Sequence, residues 1–185
     1  NEVVTVNSYE SYNEPKKPIS KEITSLTGIT PEMVKGKNIN WEEVRRLLAV
    51  SQIVVAHNAA FDRAFLEQYI KTSNIWACSS YDVDWKGRGF FNQKLELLCI
   101  WHGFYYESHR AMNDVNATIH LITHPSYNGD VPVNELIENA KNVHYKIENA
   151  FPYNEMHVDT IKKRVPRYFY NREDKTWSIF LTNKN

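Results

Sequence analysis

Residues 53–66 read IVVAHNAAFDRAFL, and the character of the chain changes halfway through them. The first part, Ile53–Ala56, is a continuous apolar run with the length of a strand that is covered on both faces of a sheet. The residues after Asn58 repeat apolar side chains at helical spacing, which predicts an amphipathic helix from Ala59 to about Lys71. The side chains predicted to face inward are Phe61, Phe65, Leu66 and Tyr69. A strand that runs directly into such a helix favours an α/β fold.

The sequence on both sides of this stretch predicts further helices. Ser20 is expected to cap a short helix that ends at Gly28, and Thr30-Pro31 begins another short turn. Asn40 is expected to cap a helix over Trp41–Val50. Later helices are predicted over Gln93–His102, over Met112–Thr123 with Val115, Ile119 and Ile122 inward, and from Val133 to about Val143.

The two ends of the chain are predicted to be extended. Glu2–Tyr12 alternates like a strand, and Arg167–Leu181 predicts a β-hairpin around a polar turn at Asn171–Lys175. Residues 125–132 carry two prolines and a glycine and are typical of a linker. We therefore expect one main domain over residues 1–124 and an accessory helix and hairpin over residues 125–185.

Asp62 is the first candidate for chemistry, because it falls on the first turn of a helix that follows a buried strand. A carboxylate near a helix amino terminus is stabilised by the helix dipole, so a structural role is one interpretation. The other is a ligand-binding role, since α/β proteins bind ligands beyond the carboxyl ends of their strands. Asn58 is expected to cap the helix rather than to bind a metal ion.

A second group of polar residues lies in residues 109–118, which read HRAMNDVNAT. His109 is expected in a loop, and Asp114 is expected inside the helix that follows. Each residue by itself is equally compatible with an exposed position that has no function.

Together these two stretches resemble the DEDDh 3′–5′ exonucleases, which are DnaQ-like members of the RNase H-like superfamily and include the epsilon subunit type of DNA polymerase III. The shared pattern is N-A-x-F-D-x-x-F-L at residues 58–66, followed by H-x-A-x-x-D at residues 109–114. Residues 18–30 also resemble that family, while residues 76–79 and the hairpin resemble a bacterial subgroup with a small carboxyl-terminal module. The resemblance implies a mixed sheet flanked by helices, with a small α+β segment after it.

The resemblance also implies a chemistry. In this family two Mg²⁺ or Mn²⁺ ions held by carboxylates bracket the scissile phosphate, and such hard cations prefer oxygen ligands. Asp62 and Asp114 match the metal ligands of the second and third motifs, and His109 matches the general base. Contacts to the substrate are expected from residues around the second motif, namely His57, Asn58, Phe61 and Phe65.

The family's first motif, an Asp-x-Glu pair on a strand, is not found in residues 1–185. The glutamates that precede Ser20 lie in the region that resembles the third strand of the family. The expected fold therefore lacks the strand that would lie beside Ile53–Ala56, and the four-carboxylate set lacks two members. We expect residues 1–185 alone to have little or no activity.

Composition and charge limit the kinds of partner and location that we expect for the chain. The net charge is zero, which argues against a broad electrostatic grip on duplex nucleic acid, although residues 141–185 hold nine Lys or Arg against five Asp or Glu. Cys78 and Cys99 are expected to be free thiols of a cytoplasmic protein, and no apolar run is long enough for a membrane span.

The expected partner is the 3′ end of single-stranded DNA or RNA. A homodimer and a replication or repair partner are further expectations from the resemblance. A non-catalytic nucleic-acid-binding or scaffold module with the same fold is the alternative, and failure to bind Mn²⁺ would favour it.

Overall fold

The computed structural model describes residues 3–127, 129–141, 145–149, 160, 168–171 and 176–181. The chain divides into two compact units, Asn1–Ala140 and Lys141–Asn185. The division comes later than the predicted boundary at residue 124, because the helix Pro132–Ala140 packs against a strand of the first unit and buries Leu136 there. The accessory segment therefore begins after this helix rather than before it.

The first unit contains seven α-helices and two strands within its described residues. The helices are α1 Lys21–Thr27, α2 Pro31–Val34, α3 Trp41–Val50, α4 Ala59–Leu66, α5 Leu95–Trp101, α6 Ala111–Ile122 and α7 Pro132–Ala140. The strands are β1 Ile53–Ala56 and β2 Ile75–Cys78, and a short 3-10 helix covers Pro125–Tyr127. Helices flank a small sheet, which confirms the predicted α/β class.

Local capping accounts for the ends of the early helices. The Ser20 hydroxyl accepts a hydrogen bond from the Ile23 amide, and Asn40 accepts one from the Glu43 amide. Gly28 ends α1 in the left-handed conformation at φ 66°, which a residue without Cβ adopts at little cost. These boundaries agree with those predicted from the sequence.

The two strands of the first unit pair in parallel, with Ile53 opposite Ile75 and Ala56 opposite Cys78. The Ser79 amide continues the ladder by donating to the Ala56 carbonyl at 3.0 Å. Both strands therefore end at the same edge of the sheet. Among the described residues β1 pairs with β2 alone, so its other edge has no partner strand there.

The core of the first unit lies between β2, α5, α6 and α7. Its largest fully buried side chains are Trp85, Leu98, Leu121 and Leu136. Trp85 is part of the loop after β2, and its indole N–H donates to the Ser79 carbonyl at 2.7 Å. The loop is thus tied to the core by a buried aromatic ring whose polar atom is satisfied.

Two predictions about apolar segments were wrong, and a third was right in part. On α4, Phe61 and Phe65 are 71% and 52% exposed instead of facing inward. On α6, Val115 is 50% exposed, whereas Ile122 is buried as predicted and Leu121 is buried as well. Residues 3–12 form no strand, and Val6 is 94% exposed. In each case apolar residues recur at the predicted spacing, but the spacing alone does not show which of them the fold buries.

The second unit is a three-stranded antiparallel sheet in the order β3-β5-β4. Its strands are β3 Tyr145–Asn149, β4 Tyr168–Asn171 and β5 Thr176–Leu181. Pairing of β4 with β5 confirms the predicted hairpin, although residues 172–175 of its turn lie outside the described residues. The sequence did not predict β3. In the described parts of both units, no helix has the length and apolar character needed to cross a bilayer.

The inward face of α6 can be tested with a matched pair of truncations. Leu121→Ala should lower the free energy of unfolding by about 2–5 kcal/mol, because it leaves a cavity in the core. Val115→Ala on the same helix should cost less than about 1 kcal/mol, because half of that side chain already contacts water. Urea denaturation of both variants measures the difference, and equal losses would contradict this packing.

Candidate active site

The carboxyl edge of the sheet brings together two segments that are far apart in the chain. His57 and Asn58 follow β1 at this edge, and the loop of residues 79–94 follows β2. Such an edge is where α/β proteins usually bind ligands. The arrangement agrees with the predicted location of the site.

His57 links the two segments. Its Nε2 atom lies 2.7 Å from the Gln93 carbonyl oxygen, and its Nδ1 atom lies 2.9 Å from the Ser79 hydroxyl. A carbonyl oxygen can only accept, so Nε2 carries the proton and Nδ1 accepts from Ser79. Burial lowers the pKa of His57, so the neutral ring is the form that the folded chain favours. His57 therefore holds the loop in place, and its predicted contact with the substrate stays a prediction.

Asn58 differs from the predicted helix cap. It adopts the left-handed conformation with φ 68° and ψ 49°, and its side chain makes no capping hydrogen bond. Its carbonyl accepts from the Phe61 amide at 2.9 Å, and the Ala59 amide donates to the Cys78 sulfur at 3.4 Å. Asn tolerates positive φ better than most residues, so its role here is to form the sharp turn between β1 and α4.

Asp62 on α4 and Asp114 on α6 are close enough for the charge of one to act on the other. Partial burial raises the pKa of Asp62, and the negative charge of Asp114 raises it further. Asp114 also acts on the Tyr106 hydroxyl, whose pKa is raised by burial first and by Asp114 second. The two carboxylates predicted from separate motifs thus share one region.

The same region contains a buried thiol. Burial raises the pKa of Cys99 to about 12, and the charge of Asp114 contributes to this rise. Cys99 is completely buried and Cys78 is partly buried, and both are free thiols as predicted. A thiol with so high a pKa stays protonated and packs as a small apolar side chain.

His109 lies in a strained loop just before α6. Its backbone has φ 68°, an unusual value for a residue other than glycine, and its side chain is exposed. The next residue, Arg110, donates to the Tyr12 hydroxyl at 2.9 Å and to the Gly28 carbonyl at 3.4 Å. The loop is therefore fixed at its base, while among the described contacts no hydrogen bond or ion pair joins His109 to Asp62 or Asp114. Strained backbone of this kind is often found at functional sites.

Comparison with known families shows to which family the chain belongs. The family model for exonucleases of the RNase T type matches residues 1–122, which is more than half of the chain. The chain belongs to this exonuclease family. Its DnaQ-like character and its RNase H-like α/β fold, both expected from the sequence, are thereby confirmed.

Several bacterial proteins resemble this exonuclease domain. DNA polymerase III PolC-type proteins from Halalkalibacterium halodurans and Bacillus subtilis are each 31% identical to it, over 130 and 127 residues. Each match covers 63% of this chain, which spans only 9% of the length of these relatives. A solved structure of Exonuclease X in complex with 5′ overhanging duplex DNA superposes with a TM-score of 0.50 at 20% identity. That superposition covers 69% of this chain and 78% of the other.

The donor atoms at the site fit a hard divalent cation in type but are too few. Asp62 and Asp114 provide carboxylate oxygens, which Mg²⁺ and Mn²⁺ prefer. Within the described residues, however, no group of three or more His, Cys, Asp or Glu side chains could hold a metal ion. The two carboxylates of the described residues are therefore not by themselves a complete metal site.

The exposed aromatic residues of α4 have a different setting. Phe61 and Phe65 were predicted both to pack inward and to contact substrate, and the structure leaves both rings exposed. Phe65 makes a tilted contact with Tyr69, and Tyr69 stacks on Trp41 with ring centroids 4.3 Å apart. Nothing in these contacts assigns a substrate role to either phenylalanine, so that role stays a prediction.

Sequence reasoning gave little weight to the loop after β2. A cleft of about 620 Å³ is lined by residues from this loop together with His57 and Asn58. Its signal in the sequence was the run Trp85–Phe91, which is equally typical of an ordinary surface turn. The hydrogen bonds of His57 link this loop to the end of β1.

The bridging role of His57 predicts a loss of stability when the ring is removed. His57→Ala leaves the fully buried Ser79 hydroxyl without an acceptor, which should lower the free energy of unfolding by about 1–3 kcal/mol. Ser79→Ala is the matched control and should cost less, because the partly exposed ring can bind water instead. Urea titrations at pH 7.5 compare the two variants. A His57→Ala variant as stable as the parent chain would contradict the bridging role of His57.

The same bridge predicts a pH dependence. Because the folded state has the lowered pKa, it resists a proton that the unfolded chain accepts near the ordinary histidine pKa of about 6.5. The contribution of His57 is therefore complete above that pH and is lost as the pH falls below it. The stability of His57→Ala should decline less between pH 7 and pH 5 than that of the parent chain, and parallel declines would contradict this assignment.

Proposed function

We propose that this domain supplies part of the active site of a 3′–5′ exonuclease, which removes nucleotides from the 3′ end of single-stranded DNA or RNA and releases 5′-monophosphates. The observation that carries the proposal is the position of Asp62 on the first turn of α4, just beyond the carboxyl end of β1, where the charge of Asp114 from α6 acts on it. Membership of the exonuclease family supports it. The strained loop of His109, five residues before Asp114, supports it as well.

Asp62 and Asp114 act as metal ligands in this proposal. Two neighbouring carboxylates repel each other, and a divalent cation converts that repulsion into attraction. Bound Mg²⁺ or Mn²⁺ would supply Lewis-acid stabilisation of the charge that develops on the scissile phosphate. The Tyr106 hydroxyl is close enough to Asp114 to feel its charge, and it would orient that carboxylate.

His109 acts as the general base. Histidine is the side chain that most often serves as a general base in enzymes. The exposed position leaves the ring free to approach the water that attacks the phosphate. The anchoring of Arg110 to Tyr12 and Gly28 limits how far the base of the loop can move.

The other two carboxylates of the family's site would come from a strand that carries an Asp-x-Glu pair. No such pair occurs in residues 1–185. The edge of β1 that faces away from β2 has no partner among the described residues, so a strand could add to the sheet there. We therefore expect residues 1–185 alone to hydrolyse little, and we expect activity when such a strand is present.

DNA is the substrate that we favour over RNA. The PolC-type relatives are named as DNA polymerase III proteins, and an exonuclease segment in such a polymerase suits the correction of a DNA 3′ end. This also makes a replication partner the more reasonable of the expected partners. A preference for RNA would require contacts to the 2′-hydroxyl.

The proposal can be tested on the chain joined at its amino end to a strand carrying an Asp-x-Glu pair. With Mn²⁺ and a 3′-labelled oligonucleotide, this chain should release mononucleotides. His109→Ala should lower kcat by about 10²- to 10⁴-fold, because it removes the general base. His120→Ala is a matched control on α6, outside the proposed site, and it should leave kcat unchanged.

Two results would contradict the proposed function. One is a folded, extended chain that digests neither DNA nor RNA, and the other is activity that His109→Ala leaves intact. Calorimetry adds a readout that does not depend on activity. If the extended chain binds no Mn²⁺, the non-catalytic nucleic-acid-binding module becomes the better interpretation.

Because the two carboxylates repel each other, Asp114→Asn should have opposite effects on stability without and with a bound metal ion. Without metal, Asp114→Asn should stabilise the chain at pH 7 by at most about 0.5 kcal/mol, because it removes a charge that disfavours ionised Asp62 near the surface. In the extended chain, Mn²⁺ should raise the Tm of the parent more than that of Asp114→Asn. Thermal melts with and without Mn²⁺ measure both effects, and an equal metal-induced shift would contradict the ligand role of Asp114.

A further inference from the structure

The cleft at the carboxyl edge of the sheet has an unusual lining. It includes three aromatic residues, Tyr81, Phe90 and Phe91, and two lysines, Lys86 and Lys94, but no carboxylate. His57 and Asn58 close it on the side of β1. The whole chain has no net charge, so this combination is a local feature rather than a consequence of composition.

Phe91 is the most distinctive residue of the lining, because its side chain is 98% exposed. Its neighbour Phe90 is packed, with a stacked contact to Trp101 at 5.6 Å and an edge contact to Trp85 at 6.0 Å between ring centroids. Phe90 thus anchors the loop to the core. Phe91 adds nothing to that packing, so the stability of the fold does not explain why a large apolar side chain occupies this position.

The backbone that carries Phe91 is held on both sides. The Phe90 amide donates to the Trp85 carbonyl at 2.8 Å, and the Lys94 amide donates to the Asn92 side chain at 2.8 Å. The Gln93 carbonyl accepts from His57 at 2.7 Å. A ring on a fixed backbone loses little further freedom when a ligand stacks on it.

We propose that this cleft binds an unpaired nucleotide of the substrate strand, with its base stacked on Phe91 and the adjoining phosphates held by Lys86 and Lys94. The inference rests on the proposed function. The cleft and the first turn of α4, which carries Asp62, both follow the strands at the carboxyl edge of the sheet, so the substrate strand would run along that edge. A volume of about 620 Å³ lies within the range of small-ligand sites in proteins.

The lining favours nucleic acid over a protein segment. Aromatic rings next to cationic side chains are the usual means of holding single-stranded nucleic acid, since every base presents a face for stacking and every nucleotide presents a phosphate. A cleft without a carboxylate does not repel that phosphate. The grip would be independent of sequence, as an enzyme that degrades successive nucleotides requires.

The experiment measures binding without catalysis. The 185-residue chain is titrated into a fluorescent oligothymidylate in EDTA, and its Kd is determined by anisotropy at several salt concentrations. Phe91→Ala should weaken binding about 5- to 100-fold, the usual loss when one stacking aromatic is removed. Phe91→Trp should retain the affinity, and Phe91→Leu should lose it, because leucine keeps apolar bulk without a ring.

Three further variants test the two charges and supply a control outside the cleft. Lys86→Gln and Lys94→Gln should each reduce the slope of log Kd against log salt by about 0.7, which is the contribution of one phosphate contact in a single strand. Tyr105→Ala removes another exposed aromatic residue that is not part of the cleft, and it should leave Kd unchanged. Thermal melts should show Phe91→Ala to be as stable as the parent.

The outcomes separate this inference from the proposed function. If Phe91→Ala binds as well as the parent, or if the parent chain binds no oligonucleotide even at low salt, the cleft is not a nucleotide site. The extended chain could still be an exonuclease that depends on His109. Conversely, if Phe91→Ala loses binding and the extended chain is inactive, the cleft is a nucleotide site and the proposed exonuclease function is wrong.

Discussion

Four backbone pairs join β1 to β2 in parallel, from Ile53 opposite Ile75 to Ala56 opposite Cys78. Parallel strands need a connection that crosses over the sheet, and α4 lies in that connection. The pairing therefore fixes two things at once. It places the turn at Asn58 next to the start of the loop at Ser79, and it directs the first turn of α4 with Asp62 toward the same edge. His57 can link the two segments only because this register puts them side by side.

The surroundings of Asp62 act against its ionised form. Asp62 is at a helix amino terminus, where the dipole favours a carboxylate, yet burial and Asp114 raise its pKa overall. A fold selected only for stability would gain from an uncharged residue at one of these positions. The repulsion is a moderate cost, since both groups are near water, and a divalent cation would remove it. Such opposed effects are typical of functional sites.

What the sequence predicted well was determined locally. Ser20, Gly28 and Asn40 define helix ends through contacts within a few residues, and those ends agree with the structure. The inward faces of α4 and α6 depend instead on which elements pack against them, and the spacing of apolar residues alone could not show this. The strand β2 was missed because the four residues IWAC carry no alternation by themselves.

In the candidate site, too, local sequence could be interpreted directly, whereas features that depend on distant contacts could not be predicted. The pattern of the exonuclease family identified Asp62, His109 and Asp114, whereas periodicity and composition gave each an ordinary structural explanation. The role of His57 could not be predicted, because its partner Gln93 is 36 residues away in the chain. Asn58 was expected to cap α4, and its left-handed backbone depends on how β1 turns into that helix. Contacts between distant segments therefore account for most of what sequence reasoning missed.

Exposed aromatic residues occur in this unit in two different settings, and the difference bears on their interpretation. Phe61 and Phe65 are on a helix that follows β1, a strand whose outer edge has no partner among the described residues and whose Val55 is exposed. There both apolar surface and backbone hydrogen-bonding groups are available, which is the combination that an added strand would satisfy. Phe91 is different, because the backbone around it is already hydrogen-bonded and its neighbour Phe90 is packed. Its exposed ring is apolar surface that the fold does not use, and the flat face of a nucleobase can stack on it.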